Sequence, residues 1–99
     1  MKDRKWILEQ AAKAVLGDRD HQYGSPENNF YTIASLWSVY LGKKITEVDV
    51  AMLMALLKIA RIKSGTGSID SFVDLAGYAA CGGEIYDADM MIGYDQNDV

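Results

Sequence analysis

The sequence predicts an all-α, four-helix bundle-like domain. Apolar residues recur at three- and four-residue spacing in four segments, and a break containing glycine separates each segment from the next. No segment shows the alternation of apolar and polar residues, bounded by turns, that would indicate a strand. The chain has 99 residues, of which 49% are hydrophobic, and both values are typical of one globular domain. We therefore expect one helical domain over residues 1–86, followed by a short acidic tail over residues 87–99.

The first predicted helix runs from Asp3 to Leu16. Gly17 follows at the position where a helix commonly ends. The apolar positions at helical spacing are Trp6, Ile7, Ala11, Ala14 and Val15.

The second predicted helix begins at Ser25-Pro26 and ends at Gly42. Serine is a good N-cap, and proline is tolerated at the first helical position. The residues predicted on its apolar side are Phe30, Ile33, Ala34, Trp37, Tyr40 and Leu41.

The third predicted helix has the clearest start signal. Thr46 is placed to cap it, and the acids Glu47 and Asp49 lie in the first turn, where the helix dipole favours negative charge. Residues 50–57 are apolar on every side of the helix. Because a surface helix normally has a polar face, we expect this helix to form the centre of the bundle.

The fourth predicted helix begins at Ser68, and Gly82-Gly83 leaves its C-terminal end open. Five of the fourteen acids lie in the last sixteen residues of the chain, which contain no base. These acids are Glu84, Asp87, Asp89, Asp95 and Asp98.

The charge balance argues against binding to duplex nucleic acid. The chain has 10 basic and 14 acidic residues, a net charge of −4, and the bases form no patch of the kind that a duplex requires. No segment reaches the roughly 18–20 apolar residues of a membrane span, and the N-terminus lacks an apolar signal core. The single cysteine, Cys81, has no intramolecular disulfide partner. We expect a cytoplasmic protein that does not bind membranes.

A domain this short buries a limited share of its surface when it folds. The all-round apolar segment 50–57 and the aromatic residues Trp37 and Tyr40 are difficult for so few residues to cover. We therefore expect a homo-oligomer.

Charged residues near the junction of the third and fourth helices form one candidate site. Lys58 and Arg61 share a face of the third helix, and Asp70, Asp74 and Tyr78 share a face of the fourth. The two carboxylates lie one turn apart, so they are suited to holding a divalent cation such as Mg²⁺ beside a phosphate. The alternative is an ion pair between the two helices, formed by Lys58 or Arg61 with Asp74, that only fixes the helix packing.

The connection between the first two helices is a second candidate. Within residues 18–24, Arg19 is suited to phosphate, Tyr23 can stack on a base, and His21 and Gln22 supply hydrogen-bonding groups. Binding groups concentrate in loops held by a rigid scaffold. The alternative is a solvated connection in which the neighbouring aspartates pair with the arginine.

Three stretches in combination resemble a small domain family of unknown function that is found mostly in phages and prophages. They are residues 17–30 (GDRDHQYGSPENNF), residues 49–62, and residues 70–84 (DSFVDLAGYAACGGE). The resemblance covers about two thirds of the chain. It implies a phage-encoded protein that acts in the cytoplasm of the host cell.

A more distant resemblance connects the charged cluster to nucleotide chemistry. The pattern Lys58-x-x-Arg61, followed by Asp70-x-x-x-Asp74-Leu-Ala-x-Tyr78-Ala, is similar to a nucleotide-modification-associated domain and to the all-α MazG-like nucleotide pyrophosphohydrolases. Those enzymes hold magnesium with an E-x-x-E pair on one helix and an E-x-x-D pair on the next. Here the second pair corresponds to the two aspartates, spaced by four instead of three.

The first acidic pair of the MazG-like pattern is missing, because the second predicted helix contains a single acid, Glu27. The resemblance therefore implies binding of a nucleotide or nucleotide-derived molecule without efficient hydrolysis, for example to sequester a host nucleotide signal in counter-defence. One alternative is a Mg²⁺-dependent nucleoside triphosphate pyrophosphohydrolase. Another is a protein-protein adaptor without a small ligand.

Overall fold

The computed structural model describes residues 1–17 and 26–91 of the chain, with the backbone alone for residues 26–28. These ranges contain four α-helices and no strand. The helices are α1 (Arg4–Leu16), α2 (Pro26–Leu41), α3 (Glu47–Ser64) and α4 (Ile69–Met91). The predicted all-α class and the four helices are confirmed for this part of the chain.

The helix starts at α1 and α3 follow from side-chain capping, which the sequence predicted at Thr46 but not at Asp3. The Asp3 carboxylate accepts a hydrogen bond from the Trp6 N–H at 3.0 Å. At α3, the Thr46 hydroxyl accepts from the Asp49 N–H at 3.0 Å, and the Asp49 carboxylate accepts from the Thr46 N–H at 2.9 Å. This reciprocal capping box satisfies two backbone donors that a helix start leaves unpaired. The predicted Ser25 cap lies outside the described residues.

The core lies between α2, α3 and α4 and is small. Val50 is the largest side chain that is fully buried among the described residues. Apolar residues at the margin of the core, such as Ile33 and Trp37, are only partly covered. The buried residues of the central cluster are Phe30, Ala34, Val50, Ala51, Cys81 and Ile85.

Helix α4 is the hub of the packing, because it lies along α3 and α1 and also contacts α2. Small residues permit this close approach. A Cβ on Gly77 would lie 3.2 Å from Val15 Cγ1 of α1, and a Cβ on Gly82 would lie 2.9 Å from Ala51 Cβ of α3. Gly82 therefore permits α4 to pack closely against α3 and does not end the helix.

The predicted central position of α3 is wrong. Only one side of this helix is buried, through Val50, Ala51 and Ala55. Its opposite side is apolar and exposed, because α2 and α4 both pack on the same half of the helix surface. An apolar pattern on all sides of a helix does not distinguish burial inside one chain from burial between chains.

Helix α2 differs from its predicted pattern at its C-terminal end. Tyr40, predicted on the apolar side, is 88% exposed, and Leu41 is exposed as well. Ser38 takes the inner position. Its hydroxyl donates to the Ala34 carbonyl at 2.7 Å and accepts from the Ile45 N–H at 2.8 Å. This pair of hydrogen bonds ties the end of α2 to the connection before α3 and satisfies the partly buried hydroxyl.

The acidic segment begins inside a helix. Helix α4 continues to Met91, so residues 87–91 of the predicted tail are helical. Residues 92–99 lie outside the described ranges, and the tail beyond Met91 stays a prediction.

A candidate anion-binding site between two helices

Helices α3 and α4 form an antiparallel pair joined by the four residues 65–68. Gly65 ends α3 with a φ of +82°, a conformation that favours glycine. The reversal places Lys58 opposite Asp74, and the Lys58 Nζ lies 3.0 Å from the Asp74 Oδ2. The helix pair thus brings together two of the residues predicted for the site.

The Lys58–Asp74 ion pair is partly shielded from solvent, with 19% of the lysine side chain and 33% of the aspartate side chain exposed. It is the interhelical pair that the sequence left as an alternative, and its base is Lys58. Such a pair fixes the packing of the two helices, and it also places one cation and one carboxylate at an accessible edge. Pairing reduces the positive potential that Lys58 offers to a free anion.

Arg61 and Asp70 lie one turn further along the same two helices, towards the connection, and both are exposed. Neither side chain forms an ion pair with any described residue. The Arg61 backbone is fixed, because its carbonyl accepts a hydrogen bond from the Gly67 N–H at 2.8 Å. The guanidinium is therefore a cation on an anchored backbone, beside the partly shielded pair and without an ion-pair partner among the described residues. We call Lys58, Arg61, Asp70 and Asp74 the charged cluster.

Tyr78 follows the charged cluster on α4 and has a packing role. Its ring stacks on Phe30 of α2, with the ring centroids 6.3 Å apart and an angle of 28° between the planes. The ring is partly buried against the central core. Contact between Tyr78 and a ligand stays a prediction.

The predicted metal ligands Asp70 and Asp74 lie on adjacent turns of α4. Within the described ranges, no three Asp, Glu, His or Cys residues are grouped so that they could together hold a metal ion. The second carboxylate is paired with Lys58, so a cation bound here would compete with the lysine. Magnesium at these two carboxylates stays a prediction.

The predicted loop residues Arg19, His21, Gln22 and Tyr23 lie outside the described residues. The described residues on either side of this segment approach α4 at neighbouring positions. Val15 of α1 faces Gly77, and Phe30 of α2 stacks on Tyr78. Both helices that border the segment therefore contact α4 within about one turn of Asp74.

The sequence indicated that segment 50–57 is difficult to cover, but it did not show which residues of α3 form an exposed apolar face. Asp49, Leu53, Leu56, Ala60 and Lys63 follow one another at spacings of four and three residues, and all are exposed. These five residues are called the outer face of α3. The exposed apolar residues that flank it are Met52, Leu57 and Ile59. The signal was present in the sequence as an apolar stripe at helical spacing with one acid and one base at its ends, but the helix was predicted to be central.

Comparison with known proteins identifies the family of the chain. Residues 6–86 match the family described as Domain of unknown function (DUF6378). The chain belongs to the DUF6378 family. The match covers most of the helical domain and confirms the predicted resemblance to a small domain family of unknown function.

The DUF6378 domain is similar to two phage proteins, each called Gene 55 protein. The one from Mycobacterium phage D29 is 54% identical over 82 residues, which cover 82% of this chain and 54% of that protein. The one from Mycobacterium phage L5 is 43% identical over 74 residues, which cover 74% of this chain and 47% of that protein. The chain thus spans about half the length of these relatives. No solved structure matches it.

Within the described part of the chain, no helix is both long enough and apolar enough to cross a membrane.

Proposed function

We propose that the DUF6378 domain binds a nucleotide or a nucleotide-derived small molecule without hydrolysing it efficiently. The observation that supports this proposal is the charged cluster, in which Arg61, exposed and unpaired with any described residue, lies beside the Lys58–Asp74 pair at an accessible helix junction. The proposal also draws on the distant similarity of this pattern to MazG-like domains.

The residues have different roles in the proposed complex. Arg61 binds phosphate oxygens through charge-assisted hydrogen bonds, because it is exposed and has no competing carboxylate among the described residues. A magnesium ion brought by the nucleotide binds Asp70 and Asp74, which releases Lys58 to contact phosphate. Arg19 and Tyr23 complete the site by binding phosphate and base, with His21 and Gln22 as hydrogen-bonding partners.

The proposal of binding without efficient turnover follows from the small number of acids. Hydrolysis of a phosphoanhydride needs a positioned base or a further metal ligand that activates water. Asp70 and Asp74 provide two carboxylates, and the described residues contain no larger acidic group beside them. One hydrated magnesium ion on a nucleotide is compatible with this set.

The proposed biological role is sequestration of a host nucleotide signal in the host cytoplasm. The support for this role is that the two relatives named above are phage proteins. A small binding domain without turnover removes a signal in proportion to its own concentration, so we expect stoichiometric binding.

Binding is tested by thermal shift and calorimetry with nucleoside mono-, di- and triphosphates and cyclic nucleotides, each with and without Mg²⁺. We expect at least one of them to raise the melting temperature of the wild type. Arg61→Ala should weaken the affinity for that ligand about tenfold or more, because a charge-assisted contact is lost. The control is Lys44→Ala, which removes the same charge at the other end of α3 and should change affinity less than twofold.

Two results would contradict the proposal in different ways. Release of pyrophosphate from a triphosphate, abolished by Asp74→Asn, would identify the domain as a Mg²⁺-dependent pyrophosphohydrolase. If no nucleotide raises the melting temperature, the adaptor function, with no small ligand, replaces nucleotide binding.

We also propose that the domain forms a homo-oligomer. The support is the large exposed apolar surface of the single chain. More large hydrophobic side chains are exposed than buried among the described residues, and the exposed ones are found on all four helices.

A further inference from the structure

The outer face of α3 is an exposed helix face with an uninterrupted apolar centre. The exposed fraction is 42% at Leu53 and 57% at Leu56, and Ala60 one turn further on is exposed as well. Met52, Leu57 and Ile59 widen this surface on both sides. Exposed apolar surface of this extent is unfavourable in water and marks an interaction site.

We infer that the outer face of α3 pairs with the same face of a second copy of this chain, with the two helices antiparallel and crossing near Leu56. The inference rests on the proposed self-association for the identity of the partner. It adds the surface, the orientation and the residue at the twofold axis.

The end charges of the face fit an antiparallel pair. Asp49 lies seven residues before Leu56, and Lys63 lies seven residues after it. When two copies cross antiparallel at Leu56, each acid comes to lie near the lysine of the partner subunit, about 10 Å from the axis on either side. A parallel pair would bring like charges together. The same arrangement sets the negative first turn of one helix against the positive last turn of its partner.

The apolar area is close to what a specific pair needs. The five large apolar residues of the face and its flanks are each about half exposed and present on the order of 450 Å² per copy, so burial of all five would remove about 900 Å² from water. This is near the lower limit for a specific interface, before any further contact outside α3 is counted.

The other exposed helix faces are less suited to this pairing. Helix α4 exposes Phe72 and Tyr86, but Glu84, Asp87 and Asp89 lie along its exposed C-terminal half without a base, so two copies would repel there. Helix α2 exposes Leu36, Val39 and Tyr40 on a surface without charges among residues 29–41, so nothing on it selects an orientation.

The pairing leaves the charged cluster open. Lys58 lies two residues after Leu56 and Arg61 lies five after it, which places them about 200° and 140° around the helix, away from the crossing side of α3. A variant of the outer face therefore tests association without altering the proposed ligand site.

The test is the mass of the full chain, measured by light scattering during size exclusion over a range of micromolar concentrations. We expect the wild type to have at least the mass of a dimer and Leu56→Glu to halve that mass, because two glutamates would meet at the axis. Val39→Glu is the matched control on α2, where the side chain is more exposed, and it should leave the mass unchanged. Circular dichroism should show equal helix content in all three proteins.

The outcomes separate this inference from the proposed self-association. A monomeric wild type overturns both. If the wild type is an oligomer and Leu56→Glu leaves it intact, the assignment to the outer face of α3 is overturned while the proposed self-association stands. Dissociation by Val39→Glu in that case would place the interface on α2. If Leu56→Glu fails to fold, Leu56→Cys decides the question. Under mild oxidation it should form a disulfide-linked dimer much faster than Leu36→Cys, and equal rates would overturn the inference.

Discussion

At the scale of single residues, the two adjacent glycines of α4 have opposite environments. A Cβ at position 82 would meet Ala51 Cβ at 2.9 Å and Met52 Cε at 3.2 Å, whereas a Cβ at position 83 would meet nothing within 4 Å. Alanine is the better helix former by about 1 kcal/mol. The two positions therefore separate intrinsic helix propensity from packing.

We predict that Gly82→Ala lowers the free energy of unfolding by on the order of 1 kcal/mol. Overpacking at this contact costs about 1–3 kcal/mol, and the gain in helix propensity offsets part of it. Gly83→Ala should instead raise stability by about 0.5–1 kcal/mol. Urea denaturation of both variants measures the difference, and shifts of the same sign and size would show that α4 does not approach α3 as described.

Another residue-scale prediction concerns the Lys58–Asp74 pair. We expect a coupling energy of about 0.5 kcal/mol between the two side chains, because the pair is only partly shielded and solvent screens it. A double-mutant cycle with Lys58→Met and Asp74→Asn measures this coupling, and it should shrink in 1 M salt. A coupling of zero at low salt would mean that the two helices are not held at this contact.

Arg61→Ala, by contrast, should change stability by less than about 0.5 kcal/mol, because its guanidinium is exposed.

At the scale of elements, α3 has different surroundings on its two sides. One side provides Val50 and Ala51 to the core and Lys58 to the charged cluster. The other side presents Leu56 to solvent in the single chain. We infer that this division lets one helix serve the core and the proposed ligand site on one side and a second copy on the other.

At the scale of the whole molecule, the small core and the exposed α3 face predict that stability depends on concentration. If folding and pairing are coupled, the melting temperature of the wild type should rise by roughly 3 °C for each tenfold increase in protein concentration. The Leu56→Glu variant should melt at one temperature over the same range and below the wild type. Differential scanning calorimetry at several concentrations checks this, and a wild-type melting temperature that does not change would contradict coupled folding and pairing.

Local sequence signals predicted the helices well because they act within a few residues. The caps at Asp3 and Thr46 satisfy backbone donors of their own helices, and Gly65 supplies a backbone conformation that other residues avoid. The helix pair also made the meeting of Lys58 and Asp74 foreseeable as one of two alternatives, since a short connection forces α3 and α4 to run antiparallel.

The packing around α3 and α4 was not predictable from the same signals. The glycine at position 82 left the end of the fourth helix open in the sequence, and only the proximity of Ala51 shows that it allows close packing. Likewise, the apolar residues around Leu56 have the same hydrophobicity whether α2 and α4 cover them or leave them exposed. Burial depends on which other elements are near, and that information is not contained in any single segment.

By itself, the sequence determined the all-α class, the helix starts at Asp3 and Thr46, and the presence of basic and acidic residues on neighbouring helices. Only the tertiary structure decided that α4 is the hub, that Lys58 pairs with Asp74, and that one face of α3 is left exposed. The physical reason is the separation along the chain over which each interaction acts. Capping and helix propensity act between residues that are close in the chain, whereas close packing, ion pairing and burial depend on segments that meet only after the chain has folded.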